Sequence, residues 1–319
     1  MNTTNETFYS LDYWFGLYGY PYISDIIEAY AVTPVWLLSL ILSIFSLFIL
    51  LKSPFFGSTF FNYARLYVVN CLILSLLGLT TIMSATHRFF SITNTYEAVQ
   101  FSNCVSWFAA NSLVLFSSCL EMCLVVEKIL YLLPKGYSRI KILSLKKFFF
   151  ILFSICIVIN LPSLFLFEPA FADVQLDKNP LYRIWFIGVT SFSYTLTGQI
   201  LYYLEYLFRD VLPMILKIIL NFISVYLLGK YVKNKQRIRA TTATSHLVDF
   251  DRKQTYIALT MNLFSLLEHL LYIGSYIFYY INSYDLSALV YAVAFLFIAV
   301  KHLLFFLIFF FLIICLGKR

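Results

Sequence analysis

The chain reads as an all-α membrane protein, a seven-transmembrane helix bundle with its N-terminus outside the cell, and three observations predict this. Of its 319 residues, 61% are hydrophobic, 20% aromatic and only 12% charged, against roughly 45–50% apolar and 25% charged in soluble domains. Seven stretches reach the roughly 20 apolar residues that cross a bilayer core as a helix. Basic residues crowd into alternate connections between those stretches, and Lys and Arg in short loops stay on the cytoplasmic side. Short polar breaks leave no room for a soluble domain, so one bundle over 30–316 is expected, flanked by an outer tail over 1–29 and a short inner tail over 317–319.

The segment from Met1 to Asp12 is polar and holds no Lys or Arg. It lacks the charged region of a cleaved signal peptide, so the first span is expected to act as the insertion signal. Asn2-Thr3-Thr4 and Asn5-Glu6-Thr7 are acceptor motifs for N-glycosylation, and no other N-x-S/T triplet occurs in the chain. Two sequons at one tip place Asn2 and Asn5 outside.

The spans run approximately from Tyr30 to Leu51, Asn62 to Met83, Phe101 to Val126, Phe148 to Phe167, Phe208 to Gly229, Tyr256 to Ile281 and Ser287 to Cys315. With the N-terminus outside, the second inner connection carries Lys135, Arg139, Lys141, Lys146 and Lys147. The third carries Lys230, Lys233, Lys235, Arg237, Arg239, Arg252 and Lys253. The chain ends inside with Lys318 and Arg319, while Glu6, Asp12, Asp25, Glu28, Glu97, Glu168, Asp173, Asp177 and Asp285 map outside. Such basic loops set topology and meet anionic inner-leaflet lipid; docking of a cytoplasmic partner is compatible with both. The longest outer connection, Glu168 to Tyr203, contains Tyr182-Arg183-Ile184-Trp185-Phe186-Ile187-Gly188-Val189, whose β-branched and aromatic residues around one glycine predict a β-hairpin. Its aromatics serve equally as a lid over the bundle or as an interfacial belt.

The six cysteines lie in or beside apolar spans without CxxC spacing, so they read as small packing residues rather than a redox or zinc site. No G-x-S-x-G, Walker loop, HExxH or GxGxxG occurs, and the spans offer no paired aspartates or Ser/His set for intramembrane hydrolysis. The chain is therefore not expected to be an enzyme or to hold a cofactor or metal. Its basic residues are spread over three inner segments, which speaks against nucleic acid.

In layout, nearly the whole chain resembles the rhodopsin-like G-protein-coupled receptors, specifically their divergent invertebrate orphan or chemosensory members. At the inner end of span three, Val126-Glu127-Lys128-Ile129 resembles the family's D-R-Y triplet, with Glu127 and Lys128 as its acid and base. Cys104 stands at the outer mouth of that span, where the family places a cysteine bonded to outer loop two; Pro162 and Pro213 also suit family positions. Leu207-Phe208-Arg209-Asp210 and Asp251-Arg252-Lys253-Gln254-Thr255 resemble segments of the invertebrate members. The chain departs from the family in several places. Outer loop two has no cysteine, span one no Asn, span two no acid and span six no Pro. In place of N-P-x-x-Y, span seven reads Phe305-Phe306-Leu307-Ile308-Phe309-Phe310-Phe311.

Ionisable groups inside a membrane cost at least ~2.5–3.5 kcal/mol each on insertion scales, so each needs a partner or a purpose. Glu121 in span three, Glu268 in span six and Lys301 in span seven stand out. Glu268 and Lys301 fall near one depth, and spans six and seven are neighbours in the resembled fold, so a buried ion pair or shared polar network is expected. Glu121 counts two turns nearer the cytoplasm and is expected to join only through an intermediary. Ser265, Glu268, Tyr272, Ser275 and Tyr279 recur at steps of three and four, an inward polar face on span six. His269 and His302 follow Glu268 and Lys301 about 100° round their helices, so at most one of each adjacent pair can point straight at the centre. Both read as satisfied core histidines rather than metal ligands. Asn111, Ser118 and Glu121 form a polar stripe on span three that serves packing or ligand contact.

The resemblance implies a plasma-membrane receptor for an extracellular ligand, a peptide or small chemosensory molecule, that signals to a heterotrimeric G protein. It makes Arg209, Asp210, Tyr279 and Trp185 the ligand-binding candidates, and Glu127 with Lys128 the coupling switch. The alternative is an ion or proton-coupled transporter or channel using Glu121, Glu268, His269, Lys301 and His302. Seven spans without inverted repeats speak against it.

Overall fold

The computed structural model describes residues 27–52, 59–85, 95–132, 145–174, 182–238, 245–281 and 284–317. The sequons at Asn2 and Asn5 lie outside them.

Helix α1 (Thr33–Lys52) is entered through a π-type turn, Ile27–Val32, and α2 spans Thr59–Ala85. A third rod, α3, runs unbroken through Tyr96–Ser102, a π-type stretch Asn103–Ala110 and Asn111–Leu132. It starts at Thr95, whose Oγ1 accepts the Ala98 N–H at 3.3 Å, satisfying one of the donors that a helix N-terminus leaves open. Helix α4 (Leu145–Asn160) ends at Leu161-Pro162, and one further turn, Ser163–Leu166, leads into β1 (Phe167–Val174). Strand β2 (Tyr182–Val189) and a tight 3-10 turn, Ser191–Tyr194, lead to α5, which comprises Leu196–Tyr206, a π-type turn Leu207–Val211 and Leu212–Ile238. Helices α6 (Ser245–Tyr280) and α7 (Tyr284–Gly317) complete the described chain.

Among the described residues, five stretches are long and apolar enough to cross a membrane: Tyr30–Leu51, Asn62–Leu79, Tyr96–Glu127, Lys146–Leu166 and Leu196–Lys230. Helix α7 adds a shorter apolar stretch, Leu289–Lys301. Large apolar side chains point away from the bundle, with Phe48, Phe150 and Phe222 exposed by 61%, 73% and 73%. Serines and charged groups instead turn inward. Water would penalise that arrangement and lipid favours it, because a helix satisfies its own backbone and leaves only side chains to face the hydrocarbon. These features are those of an integral membrane protein.

The rods close into a ring. Helix α1 packs on α2 and α7, α6 packs on α5 and α7, and α3 stands inside, touching α2, α4, α5 and α6. Small residues let the first two helices approach: Ser75 Oγ donates to Ser39 Oγ at 3.1 Å. A Cβ on Gly78 would sit 2.9 Å from the Trp36 ring. Trp36, Leu74, Leu113, Ile298 and Ala299 form one apolar cluster; Leu50, Tyr67, Leu120, Leu124, Val125, Ile129 and Cys156 belong to a second.

Two expectations change here. The hairpin pairs β1 with β2 antiparallel, Phe167 opposite Val189 and Val174 opposite Tyr182. Gly188 therefore lies within a strand opposite Glu168, not at a turn, and the first strand begins where span four was expected to end. Asn103 Nδ2 anchors that junction by donating to the Phe167 carbonyl at 2.9 Å. Span five begins twelve residues before Phe208, at Leu196, because Thr195 caps it: its Oγ1 accepts the Gly198 N–H at 3.1 Å. The part of the outer connection from Leu196 to Tyr203 is thus helix rather than loop.

Candidate functional site

The inward faces of α3, α5, α6 and α7 carry a continuous network of buried charges. Helix α5 supplies Glu205, Arg209, Asp210, Lys217 and Asn221, a stripe with steps near four. Helix α6 supplies Asn262, Ser265, Glu268, His269 and Tyr276, and α3 and α7 supply Glu121 and Lys301. Pro213 shapes the α5 contribution. It has no N–H for the Arg209 carbonyl, and the turn before it widens, with the Leu212 N–H reaching back to the Leu207 carbonyl. Such wide turns recur at functional sites. Here the turn brings the adjacent residues Arg209 and Asp210 into one polar cluster.

Midway along the bundle, Lys301 Nζ lies 2.6 Å from Glu268 Oε2 and 3.2 Å from Glu121 Oε1. Lys217 Nζ lies 3.3 Å from Glu121 Oε2, donates to Ser265 Oγ and stands 3.3 Å from His269 Nε2. Tyr67 donates its hydroxyl to Glu121 Oε1 at 2.9 Å, so both Glu121 oxygens are held. Nearer the hairpin, the Arg209 guanidinium donates to Glu205 Oε1 at 2.8 Å, Asp210 Oδ2 at 3.0 Å and the Tyr276 hydroxyl at 3.0 Å. Ser163, on the turn after α4, donates to Glu205 Oε1 at 2.6 Å. His269 joins the two clusters, with Nε2 3.2 Å from Ser118 Oγ and Nδ1 3.9 Å from Asp210 Oδ1. Toward the far end, Asn262 Nδ2 donates to Asn221 Oδ1 at 2.8 Å.

Glu268 and Lys301 thus meet directly. The expected position of Glu121 is corrected: it touches Lys301 and Lys217 with no intermediary, because α3 stands inside the ring and its side chain reaches α5 and α7 together. The two neighbours on span six point different ways. Glu268 and His269 are both buried, one turned to α7 and the other to α5 and α3, since a helix inside a ring has neighbours over more than one face. Arg209 and Asp210, expected as ligand contacts, are bound to each other, and Arg209 also to Glu205. The side chains of Trp185, Tyr279, Lys128 and His302 lie outside the described residues. Trp185 pairs through its backbone opposite Phe171, and Glu127 is half-buried six residues beyond Glu121.

Two members of the network, Lys217 and Glu205, are absent from the sequence expectation. Lys217 interrupts an apolar run four residues after Pro213 and eight after Arg209, an inward step that was readable. Glu205 falls between the expected outer connection, ending at Tyr203, and the expected start of span five at Phe208; its i, i+4 spacing to Arg209 is the available signal.

Among the described residues, no group of three or more His, Cys, Asp or Glu side chains is placed to hold a metal ion. The network can lock four helices in one arrangement, or release them if a charge is added or lost. Comparison with protein-family models and with curated proteins gives no match to this chain.

Proposed function

We propose that the chain is a seven-helix receptor of the plasma membrane, with the hairpin end outside and the sequons Asn2 and Asn5 on the same side. An extracellular ligand, a peptide or small chemosensory molecule, acts at the hairpin end, and a heterotrimeric G protein is contacted at the opposite end by Glu127, Lys128 and the basic third inner connection. One observation carries this reading: α3 stands inside a closed ring and is tied through Glu121 to α5 and α7, with α6 joined through Ser265, Glu268 and His269. A ligand that binds one arrangement of these helices better than another shifts their equilibrium, and the ionic ties make the arrangements discrete.

The transporter reading has less support. An ion path needs polar lining at both ends, yet beyond Asn221 and Asn262 the buried described side chains are mainly apolar, Leu124, Val125, Ile129 and Leu228 beside Ser224.

The test is nucleotide exchange on a panel of purified Gα subunits by the full chain in lipid nanodiscs, without added ligand. The wild type is expected to accelerate exchange on at least one class, and Glu127→Ala and Lys128→Ala to reduce it at equal protein content. Unchanged exchange in both variants removes the assigned switch. No exchange with any class, together with ion flux into proteoliposomes, overturns the receptor reading in favour of transport.

A further inference from the structure

The formal charges of the network are unevenly distributed. Midway, Glu121 and Glu268 face Lys217 and Lys301, which sums to zero. At the hairpin end, Glu205 and Asp210 share the single guanidinium of Arg209, which leaves one surplus carboxylate. All three of those side chains are 12% exposed or less. An unpaired ion in such a place is far more costly than a neutral group.

The surrounding groups decide which residue relieves the surplus. Glu205 faces Arg209 and Asp210 on its own helix and Ser163 from the turn after α4; across Arg209 and Asp210 lie Tyr276 and His269 of α6, and beyond them Lys217, Glu121 and Lys301. His269 is a poor taker. With the Lys217 ammonium donating to Nε2, the neutral ring already carries its hydrogen on Nδ1, facing Asp210. A second proton on Nε2 would turn an N–H toward that ammonium. Asp210 is engaged on Oδ2 by Arg209, and its Oδ1, 3.9 Å from His269 Nδ1, is not among the wholly buried unpartnered oxygens. Glu268 belongs to the balanced cluster and holds Lys301 at 2.6 Å. Glu205 combines the surplus with an idle oxygen that is wholly covered: Oε1 takes both donors, while Oε2 is buried without a hydrogen-bond partner among the described residues. Protein atoms cover that oxygen, which excludes an ammonium group or hydrated metal ion. A proton needs no cavity.

We propose that Glu205 is an intramembrane proton-binding site, neutral in the arrangement described here, that exchanges its proton with the medium at the hairpin end. Release breaks the Oε2–H bond, gives the proton to a base in that medium and leaves one carboxylate under the hairpin that Arg209 does not balance. The arrangement of α4, α5 and α6 thereby becomes linked to pH on that side. The site goes beyond the receptor reading and stands equally if the chain transports.

Infrared difference spectra of the full chain in lipid nanodiscs, between mildly acidic and mildly alkaline buffer, test it. A protonated-carboxyl C=O band is expected in acid and lost in alkali. It should be absent from Glu205→Gln and retained in Glu268→Gln. Ser163→Ala, which deletes the donor on Oε1 while keeping the acid, should shift the band, and it carries the assignment if Glu205→Gln fails to fold. A band unchanged in Glu205→Gln, unmoved in Ser163→Ala, present in both buffers or absent from both overturns the proposal.

Discussion

Replacing Lys301 by Met is the sharpest probe of the central cluster. At an effective dielectric of ~20, the 2.6 Å and 3.2 Å separations correspond to about 6 and about 5 kcal/mol of gross attraction to Glu268 and Glu121. Desolvation offsets most of this, and removing one partner of a buried pair typically costs about 3–5 kcal/mol. The single variant leaves two carboxylates with one ammonium. Adding Glu268→Leu restores the balance, because Glu121 and Lys217 remain paired at 3.3 Å. The double variant is therefore expected to cost no more than either single one, a coupling of about 3 kcal/mol. Simple charge reversal should not rescue: in Glu268→Lys with Lys301→Glu, the new carboxylate at position 301 faces Glu121. SDS-driven unfolding in mixed micelles gives the free energies for the cycle. Additive losses, or full rescue by reversal, would show that Lys301 does not stand between two carboxylates.

Two further outcomes follow from packing and from hydrogen-bond geometry. Gly198→Ala should destabilise by about 1–3 kcal/mol, seen as a lower thermal midpoint, because its Cβ would run into the Phe192 carbonyl and sit 2.8 Å from Ser193 Cα. Gly229→Ala, with nothing within 4 Å of the new Cβ, should be neutral or stabilise by up to about 1 kcal/mol, and equal losses at both sites would refute the close approach. Arg209→Lys should cost about 1–3 kcal/mol despite keeping its charge, since one ammonium cannot reproduce the planar fork to Glu205, Asp210 and Tyr276. A thermal midpoint equal to wild type would contradict that geometry.

Much of the site was legible residue by residue and little of it as a constellation. Glu121, Glu268, His269 and Lys301 were readable because each interrupts an apolar run, where an ion is costly enough to be noticed. Lys217 carried the same signal. Glu205 does not interrupt a span that begins at Phe208, and an acid just outside a span is unremarkable; the cap at Thr195 brings it inside the helix and changes its meaning. The hairpin was visible in the β-branched and aromatic run of its second strand. The first strand, Phe-Glu-Pro-Ala-Phe-Ala-Asp-Val, has no such pattern and is specified by its partner.

Composition and hydrophobic run length alone determined that the chain is a helical membrane protein, because an apolar stretch of some 20 residues can satisfy its backbone only within itself once water is excluded. The constant rise of a helix put Glu268 and Lys301 at one depth, but the same count put Glu121 two turns off, whereas it meets Lys301 at 3.2 Å. Only the tertiary structure decided which ions meet. Depth along a helix says nothing of its place in the ring, and Glu121 reaches both lysines because α3 stands inside that ring. The widened turn before Pro213 likewise sets two neighbouring residues on one side, which a regular helical count assigns to different faces.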